Sequence, residues 1–77
     1  MIHQQFLTKF TNNIEGIDAA TVFLETPLSS IPQWDSLALL GTLAMVDSEY
    51  NVQISGLELQ SCSTVGDIAN LVAKKTQ

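Results

Sequence analysis

The amino-acid sequence predicts an all-α fold: a small bundle of three main helices and one short helix, with a long loop between the first two. Two observations predict it. Apolar residues recur at three- and four-residue steps in separate segments, and no segment alternates polar and apolar residues as a half-buried strand does. With 77 residues the chain forms one domain, close to the lower size limit for folding without a disulfide or a metal.

The first helix is amphipathic and is predicted to end near residue 15, because Gly16 is a typical helix-terminating residue. The apolar stripe of this helix consists of Ile2, Phe6, Phe10, Ile14 and Ile17. From Gly16 to Trp34 the periodicity is lost, and Pro27 and Pro32 mark a long loop. Such a loop in so small a domain is usually functional or contains a helical turn of its own.

The second helix is predicted from about Ser36 to Tyr50, since no proline interrupts this segment and Asp35 is a favoured N-cap residue. It carries two apolar stripes: Leu39, Leu43, Val46 and Tyr50 on one, and Leu37, Leu40 and Ala44 on the other. One stripe must face the core. The other stripe either completes a buried helix or forms an exposed patch for partners.

Two capping boxes predict the starts of the remaining helices. Ser55 and Glu58 open a short helix that ends near Gln60, and Thr64 and Asp67 open the last helix. In each box the hydroxyl and the carboxylate satisfy backbone N–H groups at the helix start. The last helix places Val65, Ile68, Ala69 and Val72 on one face.

Charge and composition exclude several classes of function. Three Lys plus Arg stand against eight Asp plus Glu, a formal net charge of −5 that repels nucleic acids and favours basic protein partners. The single Cys62 excludes an intramolecular disulfide and the usual zinc spacings, so a small buried hydrophobe is expected there. His3 has no Cys or His companion and is expected to face solvent.

Neither a membrane segment nor a catalytic set is evident. No apolar run approaches the roughly 20 residues of a membrane span, and the N-terminus lacks a signal-peptide apolar region. A cytoplasmic protein is therefore expected. Paired carboxylates, a nucleophile with its base, and a phosphate-binding loop are also not evident, so we expect no enzyme activity and no metal site.

The best-placed residue for chemical modification is Ser36. The Asp35 cap puts its hydroxyl at the first turn of the second helix, beside backbone N–H groups that have no partner within the helix. This is also the positive end of the helix dipole, where a phosphate attached to the hydroxyl is electrostatically favoured.

The segment Pro32-Gln-Trp-Asp-Ser-Leu-Ala38, followed by a helix and Tyr50-Asn-Val-Gln-Ile54, resembles the acyl carrier protein family. The resemblance is collinear from about Thr26 to Val72, and residues 1–77 are expected to form a single carrier domain. It implies that Ser36 receives 4′-phosphopantetheine from coenzyme A through a Mg²⁺-dependent phosphopantetheinyl transferase, and that Asp35 helps to position the metal of that transferase. The arm's thiol would then carry an acyl or aminoacyl group as a thioester, so the chain is a tethered substrate rather than a catalyst.

The predicted docking residues for partner enzymes are Leu37, Leu40, Ala44, Trp34 and Asp47. Leu37 is either core or a docking residue, and Trp34 either packs over the loop or contacts the arm or a partner. Members of the family that serve fatty acid synthesis usually carry acidic residues along this helix, but here Ala38 and Gly41 stand at such positions. Fewer charges change association rate and partner choice, which favours a dedicated carrier over a general one.

The leading hypothesis is a free-standing, monomeric acyl carrier of a specialised lipid, polyketide or polysaccharide pathway. Its expected partners are the transferase, an acyl- or aminoacyl-loading ligase, and acyltransferase or synthase enzymes. An aminoacyl or peptidyl carrier of the D-alanyl type, loaded by an adenylating ligase, is the alternative. A third hypothesis is a helical interaction module that never receives the arm.

Overall fold

The computed structural model describes residues 2–76, without the side chain of Ile2, and confirms the predicted all-α fold. Helices α1 (Ile2–Asn13), α2 (Ser36–Tyr50), α3 (Gly56–Gln60) and α4 (Val65–Lys75) follow in order, and the described residues form no strand. The predicted limits of α2 agree with the structure. The long loop contains two 3₁₀ turns, Ala19–Thr21 and Leu28–Ser30, as expected for a loop of this length.

The first helix ends at Asn13 rather than near residue 15. Asn12 and Asn13, its last two residues, are weak helix formers. The chain then turns through Gly16, whose φ of 83° lies in the left-handed region that glycine adopts without strain. Gly16 therefore marks the turn that follows the helix.

The core lies where α1 packs against α2 and α4. Phe6 and Phe10 of α1 are fully buried, and their rings stack with centroids 5.8 Å apart. The predicted apolar face of α4 is also fully buried: Val65, Ile68, Ala69 and Val72. Burial of apolar side chains at this three-helix junction is the main source of stability in so small a domain.

The long loop is tied to the start of α4 by three backbone hydrogen bonds, which we call the loop–α4 contact. The Leu28 N–H donates to Ser63 O at 2.9 Å, the Val65 N–H to Thr26 O at 3.2 Å, and the Gly66 N–H to Leu24 O at 2.7 Å. Two orphan N–H groups of the first turn of α4 are thus satisfied by loop carbonyls. The loop has a fixed path at this point.

Both predicted capping boxes are present. Ser55 and Glu58 exchange their two hydrogen bonds at 3.0 and 3.1 Å, and Thr64 and Asp67 exchange theirs at 3.1 Å each. The N–H donated by Ser55, and then the Lys75 ammonium 3.0 Å away, lower the pKa of the Glu58 carboxyl. The short α3 is therefore fixed at its start and linked to the end of α4.

Candidate functional site

Ser36 is the first residue of α2, and its side chain is exposed. The preceding Asp35 has an extended backbone and caps the helix, since its Oδ1 accepts a hydrogen bond from the Ala38 N–H at 2.9 Å. The structure thus places the Asp35 cap and the Ser36 hydroxyl as the sequence predicted. A capping residue fixes where a helix begins, so the position of the hydroxyl is set by the local sequence.

Two backbone N–H groups beside this hydroxyl remain available. The Ala38 N–H is taken by Asp35, and the Leu39 N–H donates to Asp35 O at 2.9 Å. Within residues 2–76, the N–H groups of Ser36 and Leu37 have no hydrogen-bond acceptor. Free N–H groups at the positive end of a helix of 15 residues fit a phosphate joined to the neighbouring hydroxyl.

The segment before the site is anchored in the core by Trp34. Its backbone N–H donates to Ile31 O at 3.0 Å. Its half-buried ring lies 5.6 Å from the ring of Phe10, measured between the ring centroids. The Trp34 ring therefore packs against α1 through Phe10. Its docking to a partner stays a prediction.

The second apolar stripe of α2 is exposed. Leu37 is 77% exposed and Leu40 is 60% exposed, and Ala44 is exposed as well. This stripe starts beside Ser36, so any enzyme that reaches the hydroxyl from this side meets apolar surface. Of the two alternatives for the stripe, burial is excluded.

The buried line of α2 differs from the predicted one. Ala38, Thr42 and Val46 are buried, whereas Leu39 and Leu43 are only half-buried. Thr42 is not part of either predicted stripe, because threonine carries a polar hydroxyl. In the helix that hydroxyl donates to Ala38 O at 2.9 Å, so the side chain is buried with its polar atom satisfied.

The charges of α2 divide between the surface and the bundle. Asp47 is exposed, as a docking residue requires. Glu49 instead accepts a hydrogen bond from the Lys9 Nζ at 2.8 Å, and Lys9 also lies 5.1 Å from the centre of the Tyr50 ring. The hydrogen bond that Lys9 donates to the Glu49 carboxylate raises the pKa of the Lys9 ammonium. Glu49 therefore joins α2 to α1.

Leu57 on α3 is an exposed apolar residue that sequence analysis did not single out. It is 80% exposed, whereas Leu59 is buried. A five-residue helix is too short for periodicity to separate a core leucine from a surface leucine. The signal that could have found it is its place directly after the Ser55 cap and Gly56.

Cys62 and His3 are the remaining candidate groups from the sequence. Cys62 is half-buried, and burial raises the pKa of its thiol. His3 was expected to face solvent, but it is half-buried and its Nε2 lies 2.6 Å from Asn70 Oδ1 on α4. Among residues 2–76 no group of three His, Cys, Asp or Glu side chains could hold a metal ion. None of the helices in this part of the chain is long and apolar enough to cross a membrane.

The chain is similar to known acyl carrier proteins both in sequence and in fold. The chain is 35% identical over 60 residues to an acyl carrier protein of Thermotoga maritima, an alignment that covers 78% of this chain and 74% of the relative. The fold is similar to the solution NMR structure of a holo acyl carrier protein from Geobacter metallireducens, with a TM-score of 0.78 and 28% sequence identity. That superposition covers 96% of this chain and 84% of the other. No protein-family model matches the sequence.

Proposed function

Because the chain belongs to the acyl carrier protein family, we propose that Ser36 is the attachment site of a 4′-phosphopantetheine arm. The observation that carries this proposal is an exposed serine hydroxyl at the first residue of α2, next to two N–H groups without an acceptor in residues 2–76. The holo form of the Geobacter protein supports it. The arm supplies a terminal thiol, on which an acyl group is held as a thioester.

Each residue around Ser36 has a definite part in this function. Asp35 fixes the helix start by its bond to the Ala38 N–H, so the Ser36 hydroxyl is presented in one place. The N–H groups of Ser36 and Leu37 are oriented to receive phosphate oxygens. Trp34 holds the incoming loop against Phe10. None of these residues acts as an acid, a base or a nucleophile on the cargo, so the chain is a carrier and its partner enzymes do the chemistry.

Partner enzymes are proposed to dock on the exposed stripe of Leu37, Leu40 and Ala44, with Asp47 at its far end. Exposed leucines next to the attachment point favour a partner with an apolar surface patch. With Glu49 paired to Lys9, α2 offers few charges to guide the approach of an enzyme. These features support a dedicated carrier of a specialised lipid, polyketide or polysaccharide pathway.

The attachment is tested with coenzyme A and a promiscuous phosphopantetheinyl transferase, read by intact mass. The wild type and Ser36→Ala are compared with Ser48→Ala, a matched control that removes another exposed serine of α2. The wild type and Ser48→Ala should gain the mass of the arm, and Ser36→Ala should not. If the wild type gains nothing, or if Ser36→Ala is still modified, the proposal is wrong.

The cargo is tested on the modified protein. Incubation with acyl-activating and with amino-acid-adenylating ligases, again read by intact mass, separates an acyl carrier from an aminoacyl carrier. We expect acyl loading. If an adenylating ligase loads an amino acid instead, the chain is an aminoacyl carrier, and Ser36 is still the attachment site.

A further inference from the structure

An open groove of about 480 Å³ lies beside Ser36, between the end of α1, the end of the long loop and the first turns of α2. Asp35 and Leu37, the two neighbours of Ser36 in the chain, both line it. Its volume falls in the range of small-molecule sites, roughly 300–1,000 Å³. The groove is on the opposite side of Leu37 from Leu40, because successive helical residues are rotated by about 100°.

The floor of the groove depends on Gly41. A Cβ atom at this position would lie 3.2 Å from Nδ2 and 3.6 Å from Oδ1 of Asn13, so the Asn13 carboxamide lies over the glycine. Any larger residue would displace that carboxamide or fill the groove. An alanine at this position would require the exposed Asn13 side chain to shift by a few tenths of an ångström. The neighbour of Gly41 is a side chain of α1 rather than another backbone.

The groove presents free amide groups. The Asn13 carboxamide makes no hydrogen bond to any residue in the described range, and it offers both a donor and an acceptor. Gln33 uses its Nε2 to donate to Gly16 O at 3.0 Å, which leaves its Oε1 to accept another bond. Leu37 and Ala38 add apolar surface. Amides next to apolar surface suit a ligand that itself alternates amides with hydrocarbon.

The charges of the groove determine which part of a ligand can enter it. Glu15 and Asp35 both line it, and their carboxylates repel a phosphate. A phosphate is therefore disfavoured inside the groove. An uncharged segment with N–H donors is compatible with the same two carboxylates, which can accept its hydrogen bonds.

We propose that this groove holds the amide-bearing segment of the arm attached to Ser36, an inference that rests on the proposed attachment. The arm then rests on the α1 side of α2, with Asn13 and Gln33 as its hydrogen-bond partners. Leu40 and Ala44 stay uncovered for a docking enzyme. The carrier can thus dock before its arm leaves the groove.

The test compares amide spectra by NMR before and after the arm is attached, with attachment verified by intact mass. Attachment should shift the side-chain amide signals of Asn13 and Gln33 and the backbone amide of Gly41. Nuclear Overhauser effects should also join the arm's methyl groups to the Gly41 α-protons. If the shifts are confined to the neighbours of Ser36, or lie at Leu40 and Leu57, the arm does not bind in the groove. The proposed attachment at Ser36 would still hold.

Asn13→Ala and Asn12→Ala form a matched pair, because both asparagines are exposed and Asn12 does not line the groove. Loss of one hydrogen bond should lower the ratio of docked to free arm about fivefold in Asn13→Ala, or about 1 kcal/mol. Asn12→Ala should match the wild type. Equal spectra for the two variants would contradict the groove, and a wild type that takes no arm would remove both proposals.

Discussion

Replacing Gly66 with alanine should destabilise the domain, because it breaks the loop–α4 contact. Gly66 donates its N–H to Leu24 O at 2.7 Å, the shortest of the three bonds that tie the long loop to α4. A Cβ atom on residue 66 would lie 2.9 Å from that same oxygen. The obstacle is backbone, which cannot move aside as the end of a flexible side chain can. The loop must shift, and its bond to Gly66 must lengthen.

The size of the effect follows from two opposed contributions. Alanine is better than glycine within a helix by roughly 0.5–1 kcal/mol. Forcing an extra methyl group into a filled space costs typically 1–3 kcal/mol, and loss of the hydrogen bond adds about 0.5–1.5 kcal/mol. A net loss of about 1–2 kcal/mol is expected in the free energy of unfolding. A domain of 77 residues has about 4–12 kcal/mol in total.

Urea unfolding followed by circular dichroism measures this loss, with Gly56→Ala as the matched control. Gly56 is also in the first turn of a helix, but a Cβ added there would meet nothing within 4 Å. Gly56→Ala should be neutral or stabilising by up to about 1 kcal/mol. Gly66→Ala should lower the urea midpoint by roughly 1 M, given slopes of about 1–3 kcal/mol/M. If both variants are as stable as the wild type or more so, the loop is not held as we describe.

Three further predictions concern stability and docking. Tyr50→Phe should leave the melting temperature unchanged or raise it, because the Tyr50 hydroxyl is buried without a hydrogen-bond partner in residues 2–76; a lower melting temperature by calorimetry would contradict this. N–H groups of Ser63 and Thr64 lower the pKa of the Asp67 carboxyl below its unfolded value of about 3.9. Its contribution to stability is therefore present above that value and is lost as the pH falls from about 5 through the lowered pKa. The urea midpoint of Asp67→Asn should therefore decline less over this range than that of the wild type. An equal decline in both proteins would show that Asp67 does not contribute to the pH dependence of stability. Leu40→Asp should fold normally and accept the arm, but its acyl group should no longer be transferred to the partner enzyme. If the variant fails to fold, Leu40 belongs to the core and the prediction is wrong.

Local signals explain how much of the fold could be predicted from the sequence. The start of α2 at Ser36 and the two capping boxes depend on side chains within three residues of the groups they satisfy, so the sequence contains the whole interaction. The end of α1 was predicted too late because Gly16 was taken as its terminal signal. The helix ends two residues before the predicted position, at Asn13.

The face of α2 that enters the core was harder to predict. Its apolar residues cover most of the helix circumference, so periodicity alone does not choose a direction. Thr42 can be buried because its hydroxyl donates a hydrogen bond to Ala38 O. A hydropathy scale scores the hydroxyl as polar and takes no account of this hydrogen bond. The sequence leaves the exposure of Leu37 and Leu40 open, and in the structure α1 and α3 pack on other parts of α2 and leave both leucines exposed.

The candidate site divides in the same way. Asp35 and Ser36 could be identified because a cap and the residue after it are adjacent in the chain. The groove could not, since Asn13 and Gly41 approach each other only after α1 packs on α2. The pairing of Lys9 with Glu49 is equally non-local. Contacts between residues distant in sequence depend on the whole packing arrangement, which no short pattern encodes.

The distribution of charge around Ser36 implies how partners recognise this carrier. The chain has three Lys plus Arg residues. Lys9 is paired with Glu49, Lys75 with Glu58, and Lys74 lies in the last turn of α4, so none is on the exposed stripe of α2. That stripe carries apolar side chains with Asp47 at one end. Charges mainly set the rate of encounter, whereas buried apolar contacts set the lifetime of a complex. On the proposed docking stripe a partner would be selected chiefly by how well its surface fits Leu37 and Leu40, while the net charge of −5 would act on the rate of encounter.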